Sequence, residues 1–377
     1  MKDAGWERWA ARLARTMERR ADDWRTRVLG EREARQVVAY RGFGNTAEVF
    51  LSGRVLANRP LGPVQATDTW WRNLGNALRQ LETGEVPGAR VRIRFAGVEH
   101  DAVTDEEGYF RAWIRPDSAP LPGLLWHHAH VEVVDRLHPD VPAVSTDASV
   151  LVPRDTVEYG VVSDIDDTVI RTDATRLLRM LKRTLLDNAR TRLPFPGVAA
   201  FYNALRHGAG GADNPVFYVS SSPWNLYGLL TDFLEHQSIP LGPLMLRDWG
   251  ISDHGVLPTR HGEHKLGAIR QIFDCYPHMS FFLIGDSGQE DPEIYRDVVH
   301  DYGTRVLAVY IRNVTPGMPR TEAIGKLSEE VRNAGSELLL SDDTAASALH
   351  AAARGWIRPD AADAVVAEVS SSEGHPG

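Results

Sequence analysis

The sequence predicts an α/β fold whose second half is built on a parallel sheet and whose first half contains a small antiparallel β-sandwich. From Val157 onward, strand-like and helix-like segments alternate, which is typical of a parallel sheet covered on both faces. Between Gly30 and Val157, short segments alternate apolar and polar residues and are separated by turn signals. The length of 377 residues also fits two domains with additional terminal structure.

These changes of pattern divide the chain into four segments. We predict an N-terminal amphipathic helix over residues 1–30, the sandwich domain over 31–153, the α/β domain over 154–356 and a C-terminal tail over 357–377. The helix has two interpretations, because its arginines and apolar residues suit either a membrane surface or docking on the rest of the protein. Docking is the simpler interpretation.

Composition excludes several classes of protein. Hydrophobic residues make up 43% of the chain, and no apolar stretch reaches the roughly 18 residues that a membrane-spanning helix needs. The net charge of −9 argues against a protein built mainly to hold nucleic acid, which requires a broad basic surface. Because the N-terminus lacks the apolar core of a secretory signal, we expect a cytoplasmic protein. The single cysteine, Cys275, is expected to fill the core.

The first half shows no catalytic constellation. Its predicted strands are Gln36 to Tyr40, Ala47 to Val55, Ala89 to Phe95, Tyr109 to Ile114, His130 to Val134 and Ala143 to Val152, interrupted by a helix over Trp70 to Glu82. The segment Thr104 to Phe110 resembles the strand-turn-strand signature of transthyretin-like sandwiches. His128 and His130 would share a strand face, but a metal site needs a third ligand that the pattern does not provide.

The second half contains the alternating elements. The predicted strands are Val157 to Ser163, Val216 to Val219, Leu244 to Leu246, Phe281 to Ile284, Arg305 to Ile311 and Glu337 to Leu340. The predicted helices are Leu177 to Leu186, Val198 to Arg206, Trp224 to Glu235, Lys265 to Phe273, Glu293 to Asp301 and Arg320 to Ala334.

Polar residues follow several of these strands. In an open parallel sheet, ligands bind outside the carboxyl ends of the strands, so these positions are the candidate site. The first strand ends in the acidic run Asp164 to Thr168, the second ends in Ser220, Lys265 opens a later helix, and the fourth strand ends in the run Gly285 to Asp291.

These residue types fit phosphoryl transfer through an aspartyl-phosphate. Asp164 would be the nucleophile, and Asp166 would protonate the leaving oxygen and later deprotonate the attacking water. We expect Mg²⁺ to bind Asp164, Asp286, Asp291 and the main-chain carbonyl of Asp166, since this cation prefers a few carboxylates. Ser220 and Lys265 would bind the phosphate oxygens.

Several assignments have alternatives. Ser221 or Ser222 would replace Ser220 as phosphate ligand if the strand register differs by one or two residues. Asp167 is better explained as a helix cap than as a catalytic acid. Asp291 could cap the helix that Pro292 begins. His261 and His264 lie near Lys265, but lysine is preferred because it is charged at neutral pH.

These polar residues resemble the four motifs of the haloacid-dehalogenase-like hydrolases, and they occur in the same order along the chain. The first motif corresponds to Asp164, Asp166 and Thr168, the second to Ser220, the third to Lys265, and the fourth to Asp286 with Asp291. The runs Val219 to Tyr227 and Ile284 to Tyr295 are similar to the actin-patch-associated phosphatidate phosphatases, whose bacterial members also carry a sandwich-like region. The resemblance covers about 200 residues, from Asp155 to Trp356. It implies a Rossmann-like catalytic domain, Mg²⁺-dependent hydrolysis of phosphatidate, and substrate binding by Thr168, Ser220, Ser221 and Lys265.

The intervals between the motifs leave little room for a cap domain. Only a short helical segment, Arg171 to Leu193, is available between the first two motifs. A minimal cap leaves the site open, which favours a phosphate that is attached to a large molecule. We therefore prefer a lipid phosphate at a membrane surface as the substrate. The alternatives are a phosphatase for a phosphoprotein or a polynucleotide end, and a partner-binding protein with weak turnover.

Overall fold

The computed structural model describes residues 35–57, 84, 86–118, 123–134, 143–154, 156–166, 168–169, 195–247 and 261–373. Four predictions concern segments outside these ranges: the N-terminal helix of residues 1–30, the helix over Trp70 to Glu82, the helical segment Arg171 to Leu193 and the capping role of Asp167.

The first half forms a mainly antiparallel sheet, with eight strands in its described residues. They are β1 (Arg35–Ala39), β2 (Gly42–Gly44), β3 (Val49–Ala57), β4 (Arg90–Phe95), β5 (Val98–Val103), β6 (Tyr109–Ile114), β7 (Trp126–Val133) and β8 (Ser145–Leu151). The order is β1-β3-β2-β8-β7-β4-β5 with β6 on β3, and β2 and β8 pair in parallel. The sequence analysis missed β2, which is very short, and β5, whose alternate residues are exposed.

The second half forms a parallel sheet of six strands among the described residues. They are β9 (Gly160–Ser163), β10 (Val216–Pro223), β11 (Leu244–Arg247), β12 (Phe281–Asp286), β13 (Val306–Arg312) and β14 (Leu338–Ser341), in the order β11-β10-β9-β12-β13-β14. Every residue of β9 and β12 is buried. This is expected for central strands with both faces covered.

Seven α-helices accompany this sheet in the described ranges. They are α1 (Val198–His207), α2 (Tyr227–His236), α3 (His261–Cys275), α4 (Asp291–Tyr302), α5 (Met318–Asn333), α6 (Thr344–Ala353) and α7 (Pro359–Glu373). The prediction of a C-terminal tail was wrong, because α7 occupies most of residues 357–377 and packs on α1 and α6. Ala362, Val365 and Val369 form its buried stripe, which the polar end of the sequence obscured.

Two predicted element boundaries near the candidate site were also wrong. Strand β10 continues to Pro223, so Ser220 lies inside the strand instead of following it. Helix α3 begins at His261, so Lys265 lies in its second turn and does not open it. Both changes leave these side chains near the carboxyl edge of the sheet.

The two sheets share an aromatic contact at β2. Phe43 is fully buried, and its ring centroid lies 5.8 Å from that of Phe217 in β10 and 6.4 Å from that of Tyr276 after α3. Nearby, Asn45 Nδ2 donates a hydrogen bond of 2.8 Å to the carbonyl of Cys275. Residues of the first half therefore complete the hydrophobic core of the second half.

We expect Phe43→Ala to lower the free energy of unfolding by about 3–5 kcal/mol, because it removes a fully buried aromatic ring and leaves a cavity. Urea unfolding followed by tryptophan fluorescence measures the change. Val103→Ala is the control, since Val103 is 62% exposed. A loss at Phe43 no greater than that at Val103 would contradict the shared core.

Candidate functional site

The site lies at the carboxyl edge of the parallel sheet, where three neighbouring strands end. Strands β10, β9 and β12 are adjacent, so Ser220, Asp164 and Asp286 come together from distant parts of the sequence. The amide of Asp164 donates to the carbonyl of Ile284 at 2.8 Å, which extends the strand pairing to the first residue after β9. The backbone of Asp164 is therefore fixed by the sheet.

A cluster of buried carboxylates occupies this edge. Asp164, Asp286 and Asp291 each offer an oxygen atom within 4.8 Å of the others, and their exposed fractions are 1%, 0% and 0%. A metal ion could bind between these three carboxylates, and within the described part of the chain no other group of histidine, cysteine, aspartate or glutamate side chains has this geometry. It contains three of the four aspartates that the sequence analysis assigned to Mg²⁺.

Lys265 contacts two members of the cluster. Its Nζ lies 2.8 Å from Oδ1 of Asp164 and 2.7 Å from Oδ1 of Asp291, and the side chain is 3% exposed. Although burial alone would lower it, the attraction of the two carboxylates raises the pKa of Lys265 above its ordinary value. The lysine is therefore held in its charged form between the two aspartates.

Asp164 has an unusual electrostatic environment. Burial raises its pKa well above the ordinary value, Lys265 opposes this shift, and the carboxylates of Asp291, Asp166 and Asp286 add to it. Oδ2 of Asp164 accepts no hydrogen bond from the described residues. An additional positive charge at this position would favour ionised Asp164.

Asp166 faces the serines of β10 instead of the carboxylate cluster. Ser220 Oγ donates to Oδ2 of Asp166 at 2.7 Å, and Ser222 Oγ donates to the same atom at 3.2 Å. The amide of Ser222 donates to Ser220 Oγ at 2.9 Å. Ser220 and Ser222 are thus the serines whose hydroxyls reach Asp166, whereas Ser221, which lies between them, is half-buried.

The loop between β12 and α4 shapes the other side of the site. Oδ1 of Asp286 accepts from the amides of Gly288 at 2.6 Å and Gln289 at 3.1 Å. The amide of Asp286 donates to Oδ2 of Asp291 at 3.2 Å. The alternative of Asp291 as a helix cap was wrong, because Glu290 holds the cap position and Asp291 is the first residue of α4.

Gly285 permits this close approach of Asp291. A β-carbon at position 285 would lie 2.5 Å from Oδ2 and 2.8 Å from Cβ of Asp291, which is too close for any side chain. Thr168 lies two residues after Asp166 in the sequence and is 2% exposed. Its hydroxyl has no hydrogen-bond partner among the described residues.

The side chains present fit a hard divalent cation. Among the described residues, the three buried carboxylates lie beside the ammonium group of Lys265, and these four groups together carry an excess of negative charge in a region with little solvent. Mg²⁺ takes oxygen ligands and is commonly bound by few carboxylates. Asp164, Asp286 and Asp291 are the residues that would hold it.

Residues 159–313 match the family model described as "Phosphatidate phosphatase APP1, catalytic domain". This part of the chain is therefore similar to that catalytic domain. The chain is 30% identical over 174 residues to Phosphatidate phosphatase APP1 of Saccharomyces cerevisiae, a match that covers 46% of this chain and 28% of the yeast protein. It is also 29% identical over 158 residues to an uncharacterized protein of Schizosaccharomyces pombe, covering 41% of this chain and 25% of that protein.

The matched segment contains all the aspartates of the site, the serines and Lys265, but the chain spans little more than a quarter of the length of these relatives. Among solved structures, a carbohydrate acetylesterase from Xanthomonas citri covers 77% of this chain and 72% of its own, with 11% identity and a TM-score of 0.24. That likeness is too low to support an argument about fold or function.

Other candidate groups do not join the site. Cys275 is buried, and burial raises the pKa of its thiol to about 12, in keeping with a core position. His130 pairs with Asp147 at 2.9 Å on an exposed face of the first sheet. A cleft of about 340 Å³ lies near Val216, at the amino end of β10, and is remote from the carboxylate cluster.

Arg320, which no pattern in the sequence singled out, fixes the loop between β12 and α4. From α5, Arg320 Nε donates to the carbonyl of Ser287 at 2.8 Å and Nη2 donates to the carbonyl of Gln289 at 2.6 Å. Its guanidinium also pairs with Glu293 in α4, with Nη2 to Oε2 at 3.0 Å. Because this loop donates two amides to Asp286, Arg320 positions that carboxylate through the backbone.

We expect Arg320→Met to raise amide hydrogen exchange across residues 286–291 by at least about tenfold, because each lost hydrogen bond to a charged group contributes roughly 1.5–3 kcal/mol. Arg296→Met is the matched control: Arg296 also joins α4 to α5, through Glu330 at 3.0 Å, and none of its contacts is with the loop. Equal exchange in the two variants would contradict the positioning role of Arg320.

Proposed function

We propose that the chain is a Mg²⁺-dependent phosphomonoester hydrolase of the haloacid-dehalogenase-like type that acts through an aspartyl-phosphate on Asp164, with phosphatidate or a related lipid phosphate as its substrate. The observation that supports this proposal most strongly is the meeting of Asp164, Asp286, Asp291 and Lys265 in one buried cluster. Burying several carboxylates at the ends of strands is unfavourable for folding, and a role in phosphoryl transfer would explain why they are there.

In the first step, Oδ2 of Asp164 attacks the phosphorus atom and the bond from phosphorus to the leaving oxygen breaks. Asp166, held by Ser220 and Ser222, gives its proton to that oxygen. In the second step, Asp166 takes a proton from water, and the water oxygen attacks the phosphorus of the aspartyl-phosphate. Inorganic phosphate leaves, Asp164 returns as a carboxylate, and Asp166 is again protonated.

Lys265 and the serines serve both steps. The ammonium of Lys265 holds Asp164 in place and stabilises negative charge on the phosphate oxygens. The bound cation would neutralise charge between the nucleophile and the phosphate. The buried hydroxyl of Thr168 has no partner among the described residues, so it offers a hydrogen bond to the phosphate. Ser220 and Ser222 each donate their one hydroxyl hydrogen to Asp166, so either of them would donate to the phosphate only by turning from Asp166 when the phosphate binds.

A lipid substrate is favoured by the matched family and by the spacing of the elements. Between Ser222 and Lys265 the described residues supply the helix α2 and the strand β11, both parts of the sheet domain, with residues 248–260 outside the description. The described part of this interval contains no element that would form a cap over a small metabolite. No helix in the described part of the chain is long and apolar enough to cross a membrane. From the similarity to a phosphatidate phosphatase catalytic domain, we propose that the protein acts on its lipid substrate at a membrane surface.

We expect Asp164→Asn to reduce phosphate release from phosphatidate by on the order of 10³-fold or more, because it removes the nucleophile. The assay uses mixed micelles with excess Mg²⁺, and addition of a chelator to the wild-type protein is expected to stop release. Asp147→Asn is the control, since this exposed aspartate lies on the first sheet. Full activity of Asp164→Asn would contradict the proposed nucleophile.

A screen of phosphate esters tests the substrate separately from the reaction. We expect phosphatidate in micelles to be hydrolysed with a higher kcat/KM than soluble aryl phosphates, sugar phosphates, a phosphopeptide or a 5′-phosphorylated oligonucleotide. Inactivity on every phospholipid, with Mg²⁺-dependent turnover of another ester in the set, would overturn the lipid substrate and leave the reaction intact. Absence of any turnover would favour a binding protein.

A further inference from the structure

The first sheet contacts the segment that directly follows the site serines. We define the serine exit as residues 224–227, where β10 ends and a short 3₁₀ helix, Trp224–Leu226, leads into α2. The family match begins at residue 159, so it assigns no role to the residues of the first sheet.

Arg54 of β3 reaches the serine exit by a direct hydrogen bond. Its Nη1 donates to Oδ1 of Asn225 at 2.7 Å, and its Nε donates to the carbonyl of Glu107 at 2.8 Å. The guanidinium also lies over the ring of Tyr109, 4.5 Å from the centroid. Arg54 is only 6% exposed. Its contacts with Glu107 and Tyr109 in the first sheet therefore fix the orientation of the guanidinium that donates to Asn225.

Tyr40 and Arg41 make a second contact with the same segment. The ring of Tyr40 stacks on Trp224 with centroids 4.3 Å apart and lies 4.5 Å from the ring of Tyr227. The amide of Arg41 donates to the hydroxyl of Tyr227 at 2.8 Å. Both ends of the serine exit are therefore held by side chains or backbone of the first half.

The sheet itself gives the serines little support at this point. Strand β10 pairs with β9 only as far as Tyr218, and its pairing with β11 is irregular between Val219 and Pro223. Ser220 and Ser222 lie within this irregular stretch, yet both must be correctly placed to reach Asp166. A small displacement of such groups reduces catalysis strongly.

We propose that the first sheet is a working part of the site, in which Arg54 is a positioning residue that holds the serine exit through Asn225 and so places Ser220 and Ser222 against Asp166. This inference rests on the proposed function for its effect on catalysis, whereas its structural effect is independent of turnover. Asn225 follows Ser222 by three residues, so a displacement of the backbone at Asn225 would also displace the backbone at Ser222.

The experiment compares the full chain with Arg54→Met, Asn225→Ala, the double variant and the matched control Arg111→Met. Arg111 also lies over the ring of Tyr109, at 5.6 Å, but it pairs with Asp105 inside the first half. The first measurement is hydrogen exchange of peptides covering residues 219–230. The second is the inhibition constant of inorganic phosphate against a soluble aryl phosphate with excess Mg²⁺, which avoids any effect of the membrane.

We expect Arg54→Met and Asn225→Ala each to raise exchange over residues 219–230 and the inhibition constant of phosphate by about tenfold, the effect of losing one hydrogen bond to a charged group. The double variant is expected to match the single ones, because both remove the same contact. Arg111→Met is expected to resemble the wild type in both measurements.

Two results would overturn the inference: equal values for Arg54→Met and Arg111→Met, or faster exchange confined to the first sheet with residues 219–230 unchanged. If Arg54→Met fails to fold, Asn225→Ala alone decides, because it leaves the first sheet intact. If the wild type hydrolyses nothing, the proposed function fails, and the exchange measurement still tests the positioning role.

Discussion

The ion pairs of Lys265 with Asp164 and Asp291 are the interaction on which the site depends. Three carboxylates converge in a buried region, and burial of like charges is strongly unfavourable without compensation. The ammonium group of Lys265 offsets part of this charge and also joins α3 to the residue after β9 and to the first residue of α4. The remaining negative charge is the physical reason for expecting a divalent cation at this position.

The sequence pattern singled out Asp164, Ser220 and Asp286, which the structure brings together, because each one lies at or near the carboxyl end of a recognisable strand. The alternation of strands and helices predicted a parallel sheet, whose strand ends meet at one edge, and the structure places β10, β9 and β12 next to one another there. The type of each residue indicated its chemistry. The contact of Ser222 with Asp166 was harder to predict, because it depends on how far β10 continues beyond Val219.

Contacts between distant segments could not be predicted. Arg320 reads as a surface residue of an amphipathic helix, and only the folded chain shows it beside the carbonyls of Ser287 and Gln289. Arg54 and Asn225 are 171 residues apart in the sequence. Helix α7 was missed because small and polar residues surround its narrow apolar stripe. Local patterns predict elements and strand ends, whereas the partners of long side chains depend on tertiary packing.

The most direct test of the account is to trap the covalent intermediate. The wild-type protein would be mixed with phosphatidate carrying a labelled phosphate and Mg²⁺, quenched in acid within one turnover, and digested to locate the label. We expect label on the peptide that contains Asp164, and none in Asp164→Asn. Single-turnover release of phosphate with no label on that peptide, or with label on another residue, would contradict Asp164 as the nucleophile.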